Sequence, residues 1–410
     1  MKILILSQHF WPETFRINEV AHSLREVGCD VSVLTGQPNY PDGKVFSGYH
    51  AWRAQVDSFD GIDVYRVPLV PRGAGGALRL VMNYLSFIVA ASVAGPWLLR
   101  RKDIDVIFVY GTSPILQAIA AICIAKIKQA RVVVWVQDLW PESLAATGFI
   151  KNRRTLSVVG SVVRWIYRRS DLLLVQSTSF VSSVASMAGR TAVRYHPNPA
   201  ERSFQSGKAD ESGIRLEPGF NVLFAGNLGT VQSLDTIVEA AEKLRDLNDL
   251  RFVLVGSGSR GAWLAQEVAR RRLMNIKLLG RFPPDAMPGL LDQASVLLVT
   301  LARSPILAQT VPSKLQAYLA AGKPIIASLD GEGANVVEEA NAGVTCPAED
   351  ATELARAVRK LYGTSPENRE RMGLSGRRFY EEHYEPDMLA ARLVRLLGEA
   401  VSSRRQARGT

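Results

Sequence analysis

The chain has 410 residues, too many for one ordinary hydrophobic core, and 47% of them are apolar against 21% charged, which excludes a disordered or fibrous protein and points to two globular domains. A net charge of +10 points to an anionic partner: nucleic acid, a phospholipid surface or a phosphorylated ligand. Cys29, Cys123 and Cys346 are odd in number, far apart and without metal-ligand spacing, so neither a disulfide framework nor a zinc site is indicated and a reducing cytoplasm fits.

In chain order, MKILILSQHF opens as a buried strand; its single lysine and short apolar run are followed by no small-residue cleavage site, so it does not read as a secretion signal. Short β-branched runs at 3–6, 31–34, 64–67, 106–109, 132–136 and 172–175 alternate with helix-length segments, the pattern of parallel βαβ units. Residues 77–101, ALRLVMNYLSFIVAASVAGPWLLRR, approach the length of a bilayer span, but Arg79 and Asn83 interrupt the start and Gly95 and Pro96 the end. Two readings stand for it: a helix half-buried in the domain and half-dipped into a membrane interface near Trp97, Arg100 and Arg101, or an ordinary buried helix. Residues 151–169 flank an apolar stretch with Lys151, Arg153, Arg154, Arg164, Arg168 and Arg169, and no RNA-recognition, KH or zinc-finger signature accompanies them. An anionic membrane therefore fits better than nucleic acid, against the plainer reading of a core helix with solvated basic ends.

Turn residues and mixed charge between 198 and 219 mark a boundary, after which apolar runs recur at 221–225, 252–255, 276–279, 296–299 and 324–327. The expected architecture is α/β, with two doubly wound Rossmann-like domains facing an interdomain cleft: residues 1–200, residues 201–385, and a last helix within 386–410 returning to the first domain.

Chemistry-bearing residues cluster after the strands. FAGNLGTVQSLD is a strand that turns through Gly226 and Gly229 and enters a helix near Ser233, whose amides suit a diphosphate. The spacing is not GxGxxG followed by a ribose acid, so a nicotinamide reading is weak. VGSGS, with Gly256, is a second glycine turn that either contacts ligand or merely packs, and LGRFPP, with Arg281, offers backbone groups to a flat base. In VPSKLQAYLAAGKP, Pro312 starts a helix that Gly322 and Pro324 end, which sets Lys314 beside Ser313 at a helix start. In VWVQDLWPES, Asp138 follows a strand, where open sheets expose ligand-binding residues; it is either an acid–base candidate, with Glu142 as second choice, or a cap on the next helix. Glu13, in FWPETFR, carries the same ambiguity; His9 and His196 read as packing or hinge residues. A DxD-type acidic pair is missing, so no metal site is expected.

These segments, in this order and over almost the whole chain, resemble the GT-B glycosyltransferases of family 4, and most of all the branch that builds bacterial O-antigen and colanic-acid-type polysaccharides, including N-acetyl-L-fucosaminyltransferase-like members. The resemblance implies retaining, metal-independent transfer of a sugar from a nucleotide donor, UDP-linked, to an undecaprenyl-diphosphate-linked saccharide. It implies no cofactor and a cytoplasmic enzyme held peripherally on the inner face of the bacterial plasma membrane. Family members carry an arginine and a lysine for the donor diphosphate where this chain has Asn227 and Gln232, and a Glu-x7-Glu pair where it has Gln309 and Ala317. TFRIN replaces paired glycines in the first loop and leaves Arg16 as a cation there. Lys314 is then the main charge for the diphosphate, supported by Ser313, Asn227, Gly229, Gln232, Gly256 and Arg281, with Glu332 and more weakly Glu338 as substitutes for the ribose carboxylate. A non-catalytic nucleotide-binding scaffold and a GT-B-like nucleotide-sugar epimerase are the alternative classes; donor-dependent turnover separates the three.

Overall fold

The computed structural model describes residues 1–73, 76–146, 152–200, 202 and 215–408; Lys151 of the basic segment and residue 201 at the expected boundary lie outside them. The chain divides into two compact units, Met1–Pro197 with Pro386–Thr410, and Asn198–Glu385.

The first unit is built on β1 (Lys2–Leu6), β2 (Asp30–Gly36), β3 (Gln55–Phe59), β4 (Ile62–Val67), β5 (Val106–Gly111), β6 (Arg131–Val136), β7 (Leu172–Val175) and β8 (Ala192–Tyr195). They form an eight-stranded sheet in the order β3-β4-β2-β1-β5-β6-β7-β8, parallel except where β3 meets β4. The inner strands are buried on both faces, which is why they read as continuous apolar runs. The β3–β4 hairpin turns through Asp60 and Gly61 at φ 46° and 73°, the paired positive angles of a type I′ turn.

Helices α1 (Arg16–Glu26), α2 (Ala77–Leu98), α3 (Ala118–Lys128), α4 (Glu142–Ala146), α5 (Arg153–Arg169) and α6 (Phe180–Ala188) connect these strands. On α2, Asn83, Phe87, Ile88, Ala91 and Gly95 are buried at helical spacing, and a Cβ on Gly95 would lie 3.1 Å from both Ile124 and Leu34 side-chain carbons. The polar interruption at Asn83 is a buried bracket: its Oδ1 accepts from Gln8 Nε2 at 2.7 Å, and its Nδ2 donates to the Val70 carbonyl at 2.7 Å. The opposite face exposes Leu78, Val81, Met82, Leu85, Val89, Val93 and Trp97. By length and composition α2 could cross a bilayer, yet 22% of its most apolar stretch is buried, so it is neither a core helix nor free of the domain. Helix α5 is capped by Asn152, whose Oδ1 accepts from Arg154 N at 2.8 Å; it buries Val163, Ile166 and Tyr167 and exposes Val158, Trp165 and its arginines.

The second unit carries β9 (Phe220–Ala225), β10 (Leu250–Val255), β11 (Ile276–Gly280), β12 (Val296–Thr300), β13 (Ile325–Ser328) and β14 (Gly343–Cys346), all parallel, in the order β11-β10-β9-β12-β13-β14. Its helices are α7 (Leu234–Lys243), α8 (Gly261–Arg270), α9 (Met287–Asp292), α10 (Ser313–Ala321), α11 (Glu332–Glu339), α12 (Ala351–Tyr362) and α13 (Pro366–His383). One apolar core lies on each face of the sheet. The last helix, α14 (Pro386–Arg408), belongs to the first unit: Leu393, Leu397 and Ala400 are buried with Ile17 and Val20 of α1 and Trp135 of β6. Arg392 Nη2 donates to the Tyr195 carbonyl at 2.8 Å. Beside it His196 is buried against the Trp135 ring, and burial first, then the Arg392 charge, pull its imidazole down to about 3.

Candidate functional site

At the carboxyl ends of β9, β10 and β11 the second unit opens a cavity of about 560 Å³. Its floor is backbone. Gly226 follows β9 at φ 143° and Gly256 follows β10 at φ 137°, and a Cβ on Gly256 would lie 1.8 Å from the Gly226 carbonyl oxygen. Only glycine permits both the angle and the contact. One wall is the start of α10, which Tyr318 clamps to β9: its hydroxyl accepts from Ala225 N at 2.8 Å and reaches the Ala225 carbonyl at 3.3 Å.

Lys314, on the first turn of α10, points into this space. Its Nζ donates to Gln232 Oε1 at 2.6 Å and lies 3.8 Å from the centre of the Phe224 ring. Lys314 is half-exposed as a residue, and burial of its ammonium is what pushes it down to about 7. Among the described residues no carboxylate pairs with it. Asn227, Ser257 and Ser313 supply neutral polar groups, Arg281 is exposed, and Phe282, Met287 and Leu291 add apolar surface. A partly buried cation together with apolar surface suits a ligand with an anionic tail and a flat body.

Of the donor-side candidates, Lys314, Ser313, Asn227, Gln232, Gly256 and Arg281 line the cavity, whereas Gly229 and Glu332 do not. Gly229 precedes a short turn at Thr230–Gln232, and the helix start at Ser233 also lies outside the lining. Glu332 is buried at the first turn of α11, and Glu338 accepts from Thr345 Oγ1 at 2.6 Å, so neither expected substitute for a ribose carboxylate reaches this cavity. Their sequence context as loop acids gave no sign that tertiary packing holds them elsewhere.

In the first unit, Asp138 follows β6, and its Oδ2 accepts from Ser113 N at 3.1 Å and Ser113 Oγ at 2.9 Å. Trp140 Nε1 donates to the same Ser113 Oγ at 2.9 Å. Asp138 thus joins the loops after β5 and β6, and these bonds, not a cap on α4, hold its carboxylate. Burial raises its pKa, and the Ser113 hydrogen bonds oppose the rise. Glu142 is exposed on the first turn of α4. Glu13 is a correction: its Oε1 accepts from Asn39 N and Tyr40 N, both at 2.7 Å, and its Oε2 meets His9 Nδ1 at 2.9 Å, so the carboxylate is consumed in bracing two loops. Arg16 opens α1 half-buried, and its Nη1 is buried with no hydrogen-bond partner among the described residues.

His9, read from the sequence as a packing or hinge residue, stacks on Phe15 with ring centres 5.0 Å apart; Glu13 engages its Nδ1, and no described residue bonds its Nε2. Because β1 neighbours both β2 and β5, its carboxyl end is a topological switch point, where open sheets hold ligands. The His-x3-Glu spacing in HFWPE was the available signal.

Residues 14–200 match the family model Glycosyl transferase 4-like domain, and residues 219–364 match Glycosyl transferases group 1. The two units are therefore glycosyltransferase domains of family 4 type, and the chain is a glycosyltransferase of GT-B type related to polysaccharide-synthesising enzymes. It is 29% identical over 339 residues, covering 78% of this chain and 82% of the relative, to the Escherichia coli (strain K12) protein described as colanic acid biosynthesis glycosyl transferase WcaI. Among solved structures it is similar to sucrose-phosphate synthase from Thermosynechococcus elongatus (TM-score 0.74, 16% identity, 98% of this chain and 99% of that one). It is also similar to Anabaena HepE in complex with UDP (TM-score 0.69, 16% identity, 97% and 100%). At these identities the two structures establish the fold.

The dry ammonium has a stability consequence with a definite sign. Its folded value of about 7 lies below the ordinary lysine value of 10.5, so between these the unfolded chain binds more protons and wild-type stability rises with pH; below about pH 7 the penalty is complete. Lys314→Met should therefore melt above wild type at pH 6.5, with the gap narrowing steadily towards pH 10. Thermal unfolding of both proteins across that range checks this, and a gap independent of pH would contradict a desolvated Lys314.

Proposed function

We propose that the chain transfers a sugar, in our reading an N-acetylated deoxyhexosamine, from a UDP-linked donor to an undecaprenyl-diphosphate-linked saccharide during synthesis of a bacterial surface polysaccharide such as O-antigen lipopolysaccharide, with retention at the anomeric carbon. Lys314 is the observation that carries this reading: a desolvated ammonium above a glycine-lined floor, at strand carboxyl ends, is the arrangement a donor diphosphate requires. The complex of HepE with UDP supports the choice of nucleotide.

In the transfer, the bond from the anomeric carbon to the diphosphate oxygen breaks, and negative charge gathers on the departing nucleotide. A cation held in a water-poor site opposes that charge more strongly than one in solvent, and Lys314 has this position. Protein cations and amides take this role in our reading, without a metal or cofactor; the nucleotide sugar is a substrate. On the acceptor side Asp138 orients the attacking hydroxyl or receives its proton, with Glu142 in support and Arg16 meeting a phosphate.

Attachment to the membrane rests on α2 and α5. The exposed stripe from Leu78 to Trp97 offers apolar surface, and Arg100, Arg101, Arg153, Arg154, Arg164, Arg168 and Arg169 offer exposed cations. Such a combination favours peripheral binding to the anionic inner face of the plasma membrane.

Transfer of radiolabelled sugar to a polyprenyl-diphosphate saccharide should depend on the donor, whereas a scaffold would bind without turnover and an epimerase would act without acceptor. Asp138→Asn keeps the shape of the side chain, so a proton-handling role predicts a loss of turnover of about a hundredfold or more with UDP affinity intact. Wild-type turnover in that variant would leave Asp138 as a loop bracket. For the membrane, the protein should float with vesicles containing phosphatidylglycerol at low salt and progressively less as salt rises; failure to float at any salt concentration would remove the attachment.

A further inference from the structure

Among the described residues, those that line the cavity include two cations, Lys314 and Arg281, and no Asp or Glu. A nucleotide site that selects ribose does so most sharply with a carboxylate, which accepts hydrogen bonds from the sugar hydroxyls. Here the position one turn beyond Lys314 on the same face of α10 is Ala317, which lines the wall and offers only a methyl group. The acids that follow in sequence do not substitute for it: Asp330 accepts from Ala348 N and pairs with Arg303, Glu332 lies outside the lining, and Glu338 is bonded to Thr345. A pentose tethered by one carbon to a diphosphate at Lys314 therefore passes a wall that is neutral and apolar at Ala317. Beyond it, Phe282, Met287 and Leu291 give the base end apolar side chains, which favour a methylated pyrimidine as readily as a bare one.

We propose that this donor site does not read the 2′-hydroxyl, so that its substrate class includes 2′-deoxynucleoside diphosphates, deoxythymidine diphosphate among them, as well as UDP. The inference rests on the reading of the cavity as the donor-nucleotide site. Selection by charge is kept, since Lys314 meets the diphosphate in both classes. Selection by the pentose is lost, since discrimination against a missing hydroxyl requires a buried partner that its absence would leave unpaired.

Calorimetric titration of the wild-type chain with UDP, dUDP and dTDP tests this directly. The expected result is that dUDP and dTDP bind within about threefold of UDP, because no charge-assisted hydrogen bond is lost with the hydroxyl. Measurable UDP affinity with dUDP weaker by more than that would overturn the inference while leaving the donor-site reading in place. No UDP binding would overturn both. The Ala317→Glu variant supplies the converse: with a carboxylate placed on this wall, UDP should come to be preferred over dUDP by about tenfold. An unchanged ratio in a variant that still melts cooperatively and binds UDP would overturn the path of the pentose past Ala317.

Discussion

No side chain fits between the loops that follow β9 and β10. The backbone of Gly256 rests so closely on the Gly226 carbonyl that a single added carbon would collide with it, and from this contact the rest of the nucleotide side follows. Bare backbone lowers the floor of the cavity, and a Cβ at Gly226 would stand 3.3 Å from Lys314 Nζ, so the same glycine gives the ammonium its room. Tyr318 fixes α10 to the end of β9, which sets where that ammonium stands. Thr300 Oγ1 donates to the Gln232 carbonyl at 2.5 Å and so steadies the side-chain amide that receives Lys314. The cation is held in place by neutral groups, which costs stability at rest and leaves its charge available to an anion.

The first unit spends its polar residues differently. Glu13 ties the loops after β1 and β2 together, Arg66 is buried between Asp57 and the carbonyls of Trp11 and Gly36, and Asn83 pins α2 through Gln8. Among the described residues, Asp138, His9 Nε2 and the Arg16 guanidinium are among the groups left with capacity for an outside partner. The same unit carries an exposed apolar stripe on α2 whose opposite face is firmly packed, which combines a soluble core with a surface suited to lipid.

Much of the fold was legible because parallel strands, buried on both faces, write themselves as unbroken apolar runs. The strands that escaped, β3, β8 and β14, lie at sheet edges and are only partly buried, so their residues carry a weaker pattern. For β3 the Asp60-Gly61 pair was a usable hairpin signal that the reading passed over. Lys314 was legible from the helix start around it, but its partner Gln232, distant in the chain, was not, since no local pattern reports which side chain fills a space after folding. For the same reason Glu13 and Glu332 read as open loop acids, although both are buried. The units divide between Pro197 and Asn198, at the start of the turn-rich stretch 198–219.

That burial leaves Lys314 only partly charged near neutral pH, and that a bound diphosphate restores its full charge, is the claim on which the nucleotide side depends. It is tested most directly by titrating UDP into the protein at pH 8, where the nucleotide's own phosphates are ionised, in buffers of differing ionisation enthalpy. A lysine with a resting value of about 7 must take up a proton when an anion restores its charge, so the buffer dependence should report uptake of about one proton per UDP bound, and Lys314→Met should abolish it. Binding heats that are the same in every buffer would show that the diphosphate is held by something other than Lys314.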